Sequence, residues 1–536
     1  MEYVVSDPAR ITAILAAFQS HWRLEENSTE TLNRTFVDTF DWSVYLSGAT
    51  LEWRDTPPRP SLVWYELDQA DAALAQFASG PPAFPADLPP GPVRTRLMEV
   101  TDIRCLLPMM HIETHIRTFD LSSLTDITDH TADHKTVPKT APRTMAHLAI
   151  EASRFRDPRS ARAGELQVRL RVRIEHDHED PIKATLKDLL DGLGIAPADE
   201  SVLLEALAAA DRRPADYSSK LDFRLDPETR ADLVTKEVLR GLLTILEANL
   251  DGARANLDSE FLHDLRVATR RTRSALGQLR GVFPLAVVAH FKEEFAWLQQ
   301  ITGPVRDLDV YLLDFAAYRQ SLPAPLGADL EPLRDFLLAH YAAEQRRLAR
   351  GLTSDRFSRL MTDWRSFLQA PVADASNTAN GARPIKQVAN QRIRAMFKRV
   401  RREGRAIRAE SPPEALHELR KSCKKLRYLM EFFQSLYPQG QCRALIGIVK
   451  GLLDNLGSYQ DLAVQAAHLR DLAQLMRDEA QAQTQTATLL AMGALIGNLL
   501  GRRQAARDQF DRVFADFLSE HNQLAFRNLF VREPSL

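Results

Sequence analysis

The sequence predicts a multidomain α+β chain. Residues 1–210 read as an antiparallel β region with a few short helices, 211–227 as a linker and 228–536 as an all-α region. Three observations carry this prediction. Strand-like alternation, clearest in ELQVRLRVRIEH (Glu165 to His176), is confined to the first two hundred residues. From Glu228 onward, Leu, Ala, Arg and Glu recur at helical spacing, with prolines such as Pro284, Pro304, Pro323 and Pro438 between segments. Finally, the helical half repeats itself at a fixed offset of 154 residues.

In the first region, RTFVDTF and LVWYEL add strand character, and short helices are expected near Pro8 to His21 and Pro181 to Leu193. The proline-rich SGPPAFPADLPPGP, Ser79 to Pro92, can be neither helix nor central strand and is a loop. In the second region roughly eight helices of ordinary length fit. The small-residue stretch PVADASNTANGARP, 371–384, divides it into repeat 1, about 228–370, and repeat 2, about 385–530. The repeat is gapless from Leu262 to Val310. His263 meets His417, Arg266 meets Arg420, Arg270 and Arg271 meet Lys424 and Lys425, Arg273 meets Arg427, and GPVRDLDV at Gly303 meets GSYQDLAV at Gly457. Agreement of Gly, Asp, Leu and Val thirty residues beyond the charged segment marks two copies of one helical unit.

The formal charge of −2 over 536 residues hides a polarity. Residues 1–225 carry 25 Lys+Arg against 35 Asp+Glu, a balance of −10, and residues 226–536 carry 44 against 36, a balance of +8. A basic second half suits an anionic partner. Three scattered cysteines, Cys105, Cys423 and Cys442, form neither a disulfide framework nor a zinc pattern, which fits a reducing compartment. No signal-peptide pattern opens the chain, and its longest uncharged run, Thr488 to Gly501, is too short to span a bilayer. A cytoplasmic protein without membrane partners is expected.

In LHDLRVATRRTRSALGQLRGVFP, Leu262 to Pro284, one histidine and four arginines fall within eleven residues. At 100° per residue His263, Arg266, Arg270 and Arg273 share an arc of roughly 80°, opposite Leu265, Ala268, Leu276, Leu279 and Phe283. The second copy sets His417, Arg420, Lys424 and Arg427 opposite Leu419, Leu426, Met430 and Phe433, with Lys421 and Lys425 widening the charged side. A solvated helix face gains a few tenths of a kcal/mol from each acid–base pair at i,i+4; like charges at the same spacing cost as much. Duplicated self-repulsion points to a missing counter-anion. Guanidinium forks bind phosphate oxygens bidentately and ammonium groups add point charge, so two such faces opposed across a channel suit a long phosphate-rich ligand. The histidines could donate to phosphate or orient an arginine, and Asp307 and Asp461 are expected to partner arginines of the array. Arg394, Lys398, Arg401 and Arg405, in the basic segment Ile385 to Arg408, would extend the cationic surface.

These two segments, each followed by Gly-x-x-x-Asp-Leu-x-Val, resemble the two halves of a CHAD domain, the conserved histidine α-helical domain, over roughly residues 228–530. ALIGNLLGRRQAARDQFDRVFADF resembles its closing helix. The resemblance implies two four-helix bundles related by pseudo-twofold symmetry, a basic groove between them, binding of inorganic polyphosphate and, in some members, association with polyphosphate granules. A CYTH domain, an antiparallel triphosphate-tunnel barrel, often precedes a CHAD domain. Thr35 to Asp55 is similar to its strand–Asp-Thr–helix–Gly–strand–Arg segment through Asp38, Thr39, Gly48, Leu51 and Arg54. The family's Glu-x-Glu-x-Lys opening is absent: MEYVVSD keeps only Glu2. Nor does either face of ELQVRLRVRIE offer a carboxylate pair away from its ends. Metal-assisted hydrolysis needs such carboxylates, so the barrel is read as degenerate and non-catalytic, binding phosphate through Arg169, Arg171 and Arg173 or only packing.

No catalytic residue, metal site or cofactor is therefore assigned. HIETH (His111 to His115) has its glutamate misplaced for a zincin and sits in a strand-like run, and HDHE (His176 to Glu179) reads as an exposed turn. The leading function is polyphosphate binding in the cytoplasm, at polyphosphate granules, by a chain that could self-associate. Metal-dependent triphosphatase or polyphosphatase activity of the first domain is the alternative. Nucleic-acid binding ranks last, because the basic helices lack interleaved aromatics apart from Tyr428.

Overall fold

The computed structural model describes residues 1–56, 59–68, 73–124, 144–175, 179–372, 378–479 and 486–530. They form two compact units, Met1–Ser218 and Ser219–Leu536. The division falls inside the stretch expected as a linker, and that stretch is packed rather than free. Arg212 donates to the Met109 carbonyl and to Asp157, and Asp216 accepts from the Trp42 indole at 2.8 Å. Leu221 and Leu225 are buried in the helical unit, where the Leu221 carbonyl accepts from Gln434.

Among its described residues the first unit is built on ten strands: β1 (Glu2–Val5), β2 (Arg23–Thr39), β3 (Ala49–Arg54), β4 (Ser61–Glu66), β5 (Ala73–Phe77), β6 (Leu106–Ser122), β7 (Thr144–Arg156), β8 (Ala163–Glu165), β9 (Val168–Ile174) and β10 (Ala196–Pro197). All pairings are antiparallel, in the order β10-β1-β9-β7-β6-β2-β3-β4-β5, with β8 on β7. This is consistent with the CYTH resemblance, although among the described residues the end strands β10 and β5 are not paired to each other. Among the described residues five α-helices accompany the sheet: α1 (Ile11–Gln19), α2 (Ser43–Leu46), α3 (Pro92–Val100), α4 (Glu179–Gly192) and α5 (Val202–Ala209). Alternation along β9 places Val168, Leu170 and Val172 in one core with Leu148 and Ile150 of β7, Phe18 of α1 and Leu186 of α4.

The alternate side chains of β9 do not await phosphate. Arg169 is buried and paired to Glu2 at 2.6 Å and Glu205 at 2.7 Å, Arg171 meets Glu151 at 3.2 Å, and Arg173 lies 3.8 Å from Glu175. Neighbouring strands supply carboxylates that a single-strand reading could not see, and each is engaged: Glu52, for example, accepts from Arg54. His111 and His115 lie on β6 and meet Thr35 and Thr31. Residues 176–178 of HDHE lie outside the described residues.

Asp38 explains its own motif. Its buried carboxylate accepts from the amides of Thr39 (2.7 Å), Val44 (2.9 Å) and Tyr45 (2.9 Å), holding the first turn of α2, while burial pushes its pKa up to about 7 against those donors. Gly48 then turns the chain at φ +91, a left-handed conformation that favours glycine. Replacing Asp38 by Asn puts an amide donor against one of these N–H groups. Denaturant unfolding of D38N should show the first unit destabilised by at least about 1 kcal/mol.

The second unit has thirteen helices among its described residues: α6 (Ala231–Ala248), α7 (Leu250–Ala255), α8 (Ser259–Gln278), α9 (Leu285–Ile301), α10 (Gly303–Gln320), α11 (Ala324–Ala328), α12 (Glu331–Leu352), α13 (Asp355–Gln369), α14 (Ile385–Arg405), α15 (Pro413–Phe432), α16 (Gln439–Glu479), α17 (Thr486–Phe517) and α18 (Glu520–Leu529). The count exceeds the expected eight because short helices fill the connections and α9–α10 is split. Pro304 sits in the first turn of α10, where it cannot donate an amide hydrogen to an uninterrupted helix. Ser458, its counterpart, imposes no such break, and α16 runs on for 41 residues.

Pseudo-twofold symmetry is written into the hydrogen bonds. The Ala231 amide donates to the Arg383 carbonyl at 2.9 Å, and the Ile385 amide donates to the Thr229 carbonyl at 2.9 Å. Shifting either bond by the 154-residue offset gives the other. Arg230 and Pro384, themselves counterparts, form the bridge between them. At a second point on the axis the Tyr311 hydroxyl donates to the carbonyl of its own counterpart, Gln465, at 3.0 Å. Each repeat packs an aromatic cluster of its own: Phe291, Phe295 and Trp364 in the first, Phe397, Phe517 and Phe526 in the second. The repeats also share a core. Leu308 and Phe315 of α10 and Leu333 of α12 pack with Leu469 of α16 and with Met492 and Leu495 of α17.

Candidate functional site

The two motif helices, α8 and α15, take their orientation from burial of one side. Leu265, Ala268, Leu276 and Leu279 of the first copy are buried, as are Leu419, Leu426, Met430 and Phe433 of the second. Asp258 caps α8 by accepting from the amides of Glu260 and Phe261. The opposite sides carry the cations, and most of these are half-buried between helices.

The helices meet directly: Arg270 Nε donates to the Tyr428 hydroxyl at 2.9 Å. Lys424 is also within electrostatic reach of Arg270, its counterpart. Burial, then Arg420 and Arg270, pull the Lys424 ammonium down to about 8, with Arg427 adding to the effect and only Asp461 opposing it. Among the described residues Lys424 forms no ion pair. Arg420, Lys424 and Arg427 line an open groove of about 940 Å³ together with Arg502 of α17.

The groove is less purely cationic than the motif helices suggest. Asp314 of α10 and Asp454 and Asp461 of α16 also line it, so seven charged side chains divide into four cations and three acids. Asp461 binds Arg420 at 2.9 Å, while its counterpart Asp307 interacts electrostatically with Arg266 and is raised in pKa by burial. Asp461 was expected to partner an arginine of the array, whereas Asp314, Asp454 and Arg502 lie on other helices and could not be found by reading the motif helices one at a time.

Other expected residues are placed elsewhere. Arg266 donates to the Gln299 carbonyl (2.9 Å) and the Thr302 hydroxyl (2.8 Å), and so ties α8 to the end of α9. Arg271 donates to the Ser219 carbonyl and lies 3.4 Å from Glu431, which also meets Arg427 at 3.2 Å. Glu431, four residues beyond Arg427, was visible in the sequence as an i,i+4 partner. Arg273 is half-buried, with its Nε unpartnered. Lys421 pairs with Glu418 at 2.7 Å, and Lys425 feels Arg399 and Glu403 of α14 rather than the groove. On α14, Lys398, Arg401 and Arg405 line a separate depression of about 670 Å³, with Arg394 exposed one turn before.

Neither histidine stands on the groove wall. His263 shares a cluster with Glu260 and Asp264 in which one ligand atom of each lies within 4.8 Å of the others, a geometry that could hold a metal ion. Arg306, 3.7 Å from Glu260, already brings positive charge there. His417 keeps a buried Nδ1 with no hydrogen-bond partner. No helix of the described residues is long and apolar enough to cross a membrane.

Comparison with known proteins bears on the helical unit. Residues 237–470 match the family model of the CHAD domain. The uncharacterized proteins MT2285 and Rv2226 of Mycobacterium tuberculosis (strains CDC 1551 / Oshkosh and ATCC 25618 / H37Rv) are each 27% identical over 290 residues, 52% of this chain and 52% of theirs. The matched region thus spans about half the length of these curated relatives. Among solved structures, the CHAD domain from the plant Ricinus communis is 25% identical, covering 55% of this chain and 94% of its own, with a TM-score of 0.46. PptA from Streptomyces chartreusis is 18% identical, covering 53% and 99%, with a TM-score of 0.42.

Proposed function

We propose that this chain, which carries a CHAD domain over residues 237–470, binds inorganic polyphosphate in the groove lined by α10, α15, α16 and α17, without cleaving it, and does so at polyphosphate granules. One observation carries the reading: Lys424 is held half-buried against Arg270, Arg420 and Arg427 with no acid paired to it among the described residues. Such an arrangement raises the energy of the empty protein and is relieved by a polyanion. Low-dielectric walls strengthen the attraction relative to open water. Phosphate oxygens suit it because Arg420, Arg427 and Arg502 bring planar guanidinium forks to the groove that Lys424 also lines.

Binding without cleavage is supported by the first unit, where Glu2, Glu52 and Glu151 each already meet an arginine. Retention of labelled polyphosphate on a filter, or calorimetry, tests the function, and incubation with magnesium or manganese should release no phosphate. Salt provides a quantitative check. By analogy with other polyphosphate backbones, about four contacts should lower affinity on the order of a hundredfold between 50 and 200 mM salt. A salt-independent affinity would rule out the electrostatic mechanism.

A further inference from the structure

The repeat contains its own control for surface charge. α6 and α14 occupy equivalent places at the 154-residue offset, and four of their inward positions agree: Val234 with Val388, Leu239 with Ile393, Leu242 with Met396 and Leu246 with Val400, all buried. Their outward positions do not. α6 carries two Lys+Arg against three Asp+Glu, whereas α14 carries eight against one. Where the second repeat has Arg394, Lys398, Arg401, Arg402 and Arg405, the first has Arg240, Thr244, Glu247, Ala248 and Asp251. The fold therefore does not need a cationic helix at this place.

Charge on α14 is also uncompensated. Arg394 and Lys398, Lys398 and Arg402, and Arg401 and Arg405 stand at i,i+4, a spacing at which like charges repel. Only Arg399 finds an acid, Glu403 at 2.6 Å; among the described residues the other five outward cations form no ion pair. Lys398, Arg401, Arg402 and Arg405 line the 670 Å³ depression. Lys425 of α15 lies within electrostatic reach of both Arg399 and Lys421. Cations thus continue from Arg420 and Lys424 round α15 and onto α14, with Glu418 paired to Lys421 and Glu403 to Arg399 along the way.

We infer that the outward side of α14 is a second track for the polyanion held in the groove. A long chain anchored at Lys424 passes Lys421 and Lys425 and lies along Lys398, Arg401, Arg402 and Arg405, whereas a short chain fills the groove alone. The inference rests on the proposed function. Polyphosphate fits better than nucleic acid because the depression is lined only by alanine, lysine and arginine, with no aromatic on which a base could stack. The consequence is selection by chain length within one molecule.

The test is a full-length variant with Lys398→Gln, Arg401→Gln, Arg402→Gln and Arg405→Gln, assayed with long-chain polyphosphate, tripolyphosphate and single-stranded RNA. Glutamine keeps helix propensity close to that of lysine and arginine, so far-ultraviolet circular dichroism should be unchanged. Affinity for the long chain should fall about fivefold and its salt dependence should flatten, with tripolyphosphate affinity unaltered. Unchanged long-chain affinity would sink the second track alone, as would an equal loss for both phosphates, or a loss confined to RNA. Failure of the wild-type protein to bind either phosphate would instead overturn the proposed function, and the second track with it.

Discussion

Replacing Arg420, Lys424 and Arg427 together by glutamine should lower polyphosphate affinity by at least about a hundredfold at physiological salt, while the helical unit stays folded. Three of the four groove cations are removed, and loss of Arg420 also frees the Asp461 carboxylate, which would then repel the ligand. Hydrogen bonds to charged groups contribute about 1.5–3 kcal/mol each, so a loss on the order of 3 kcal/mol is conservative for three. Folding should be spared because none of the three side chains belongs to the shared apolar core. Filter retention together with circular dichroism checks both halves of the expectation. Affinity within a few-fold of wild type would mean that the polymer, if bound, lies elsewhere.

Arg266→Gln separates binding from architecture. Its guanidinium is occupied by the Gln299 carbonyl and Thr302 rather than directed at the groove. The variant should unfold at lower denaturant concentration, by about 1–2 kcal/mol, and retain most polyphosphate binding. An affinity loss as large as that of the groove variant would return Arg266 to the ligand site.

The contrast between Arg266 and Lys424 defines what the sequence could disclose. Helical arcs fix which side of α8 and α15 is cationic, and the core residues opposite are buried as their spacing requires. Periodicity on one helix cannot say which cation meets a carbonyl of the next helix, or that Glu431, the i,i+4 partner of Arg427, will also reach Arg271. The 154-residue offset was legible from Leu262 to Val310 because identical residues recur at spaced positions, such as His263 with His417, Pro284 with Pro438 and Asp307 with Asp461. It extends to α6 and α14 in burial, where Val234 and Val388 match, and in the paired hydrogen bonds of Ala231 and Ile385, although most outward charges have diverged. Strand alternation likewise identified β9, yet the carboxylates that neutralise Arg169 and Arg171 come from Glu2, Glu151 and Glu205, far apart in sequence. Local pattern gives faces, and partners come from topology.

Lys424 also sets an expected pH dependence that no arginine can imitate. Burial, Arg420 and Arg270 hold its folded-state pKa at about 8, below the ordinary 10.5. A bound polyanion favours the ammonium and raises that pKa again, so above pH 8 binding must take up a proton. Affinity should therefore fall by about tenfold between pH 7 and pH 9. The same shift affects folding in the opposite direction. Between about pH 8 and 10.5 the unfolded chain holds more protons at this site than the folded chain, so the site's contribution to stability rises with pH across that window. Lys424→Arg, charged throughout, should bind with a flat profile over pH 7–9. Lys424→Gln should bind more weakly, also with a flat profile, and should melt slightly higher when unliganded, because a partly desolvated and repelled charge has been removed. Persistence of the full pH dependence in Lys424→Arg would place the titrating group elsewhere and remove Lys424 from the centre of the site.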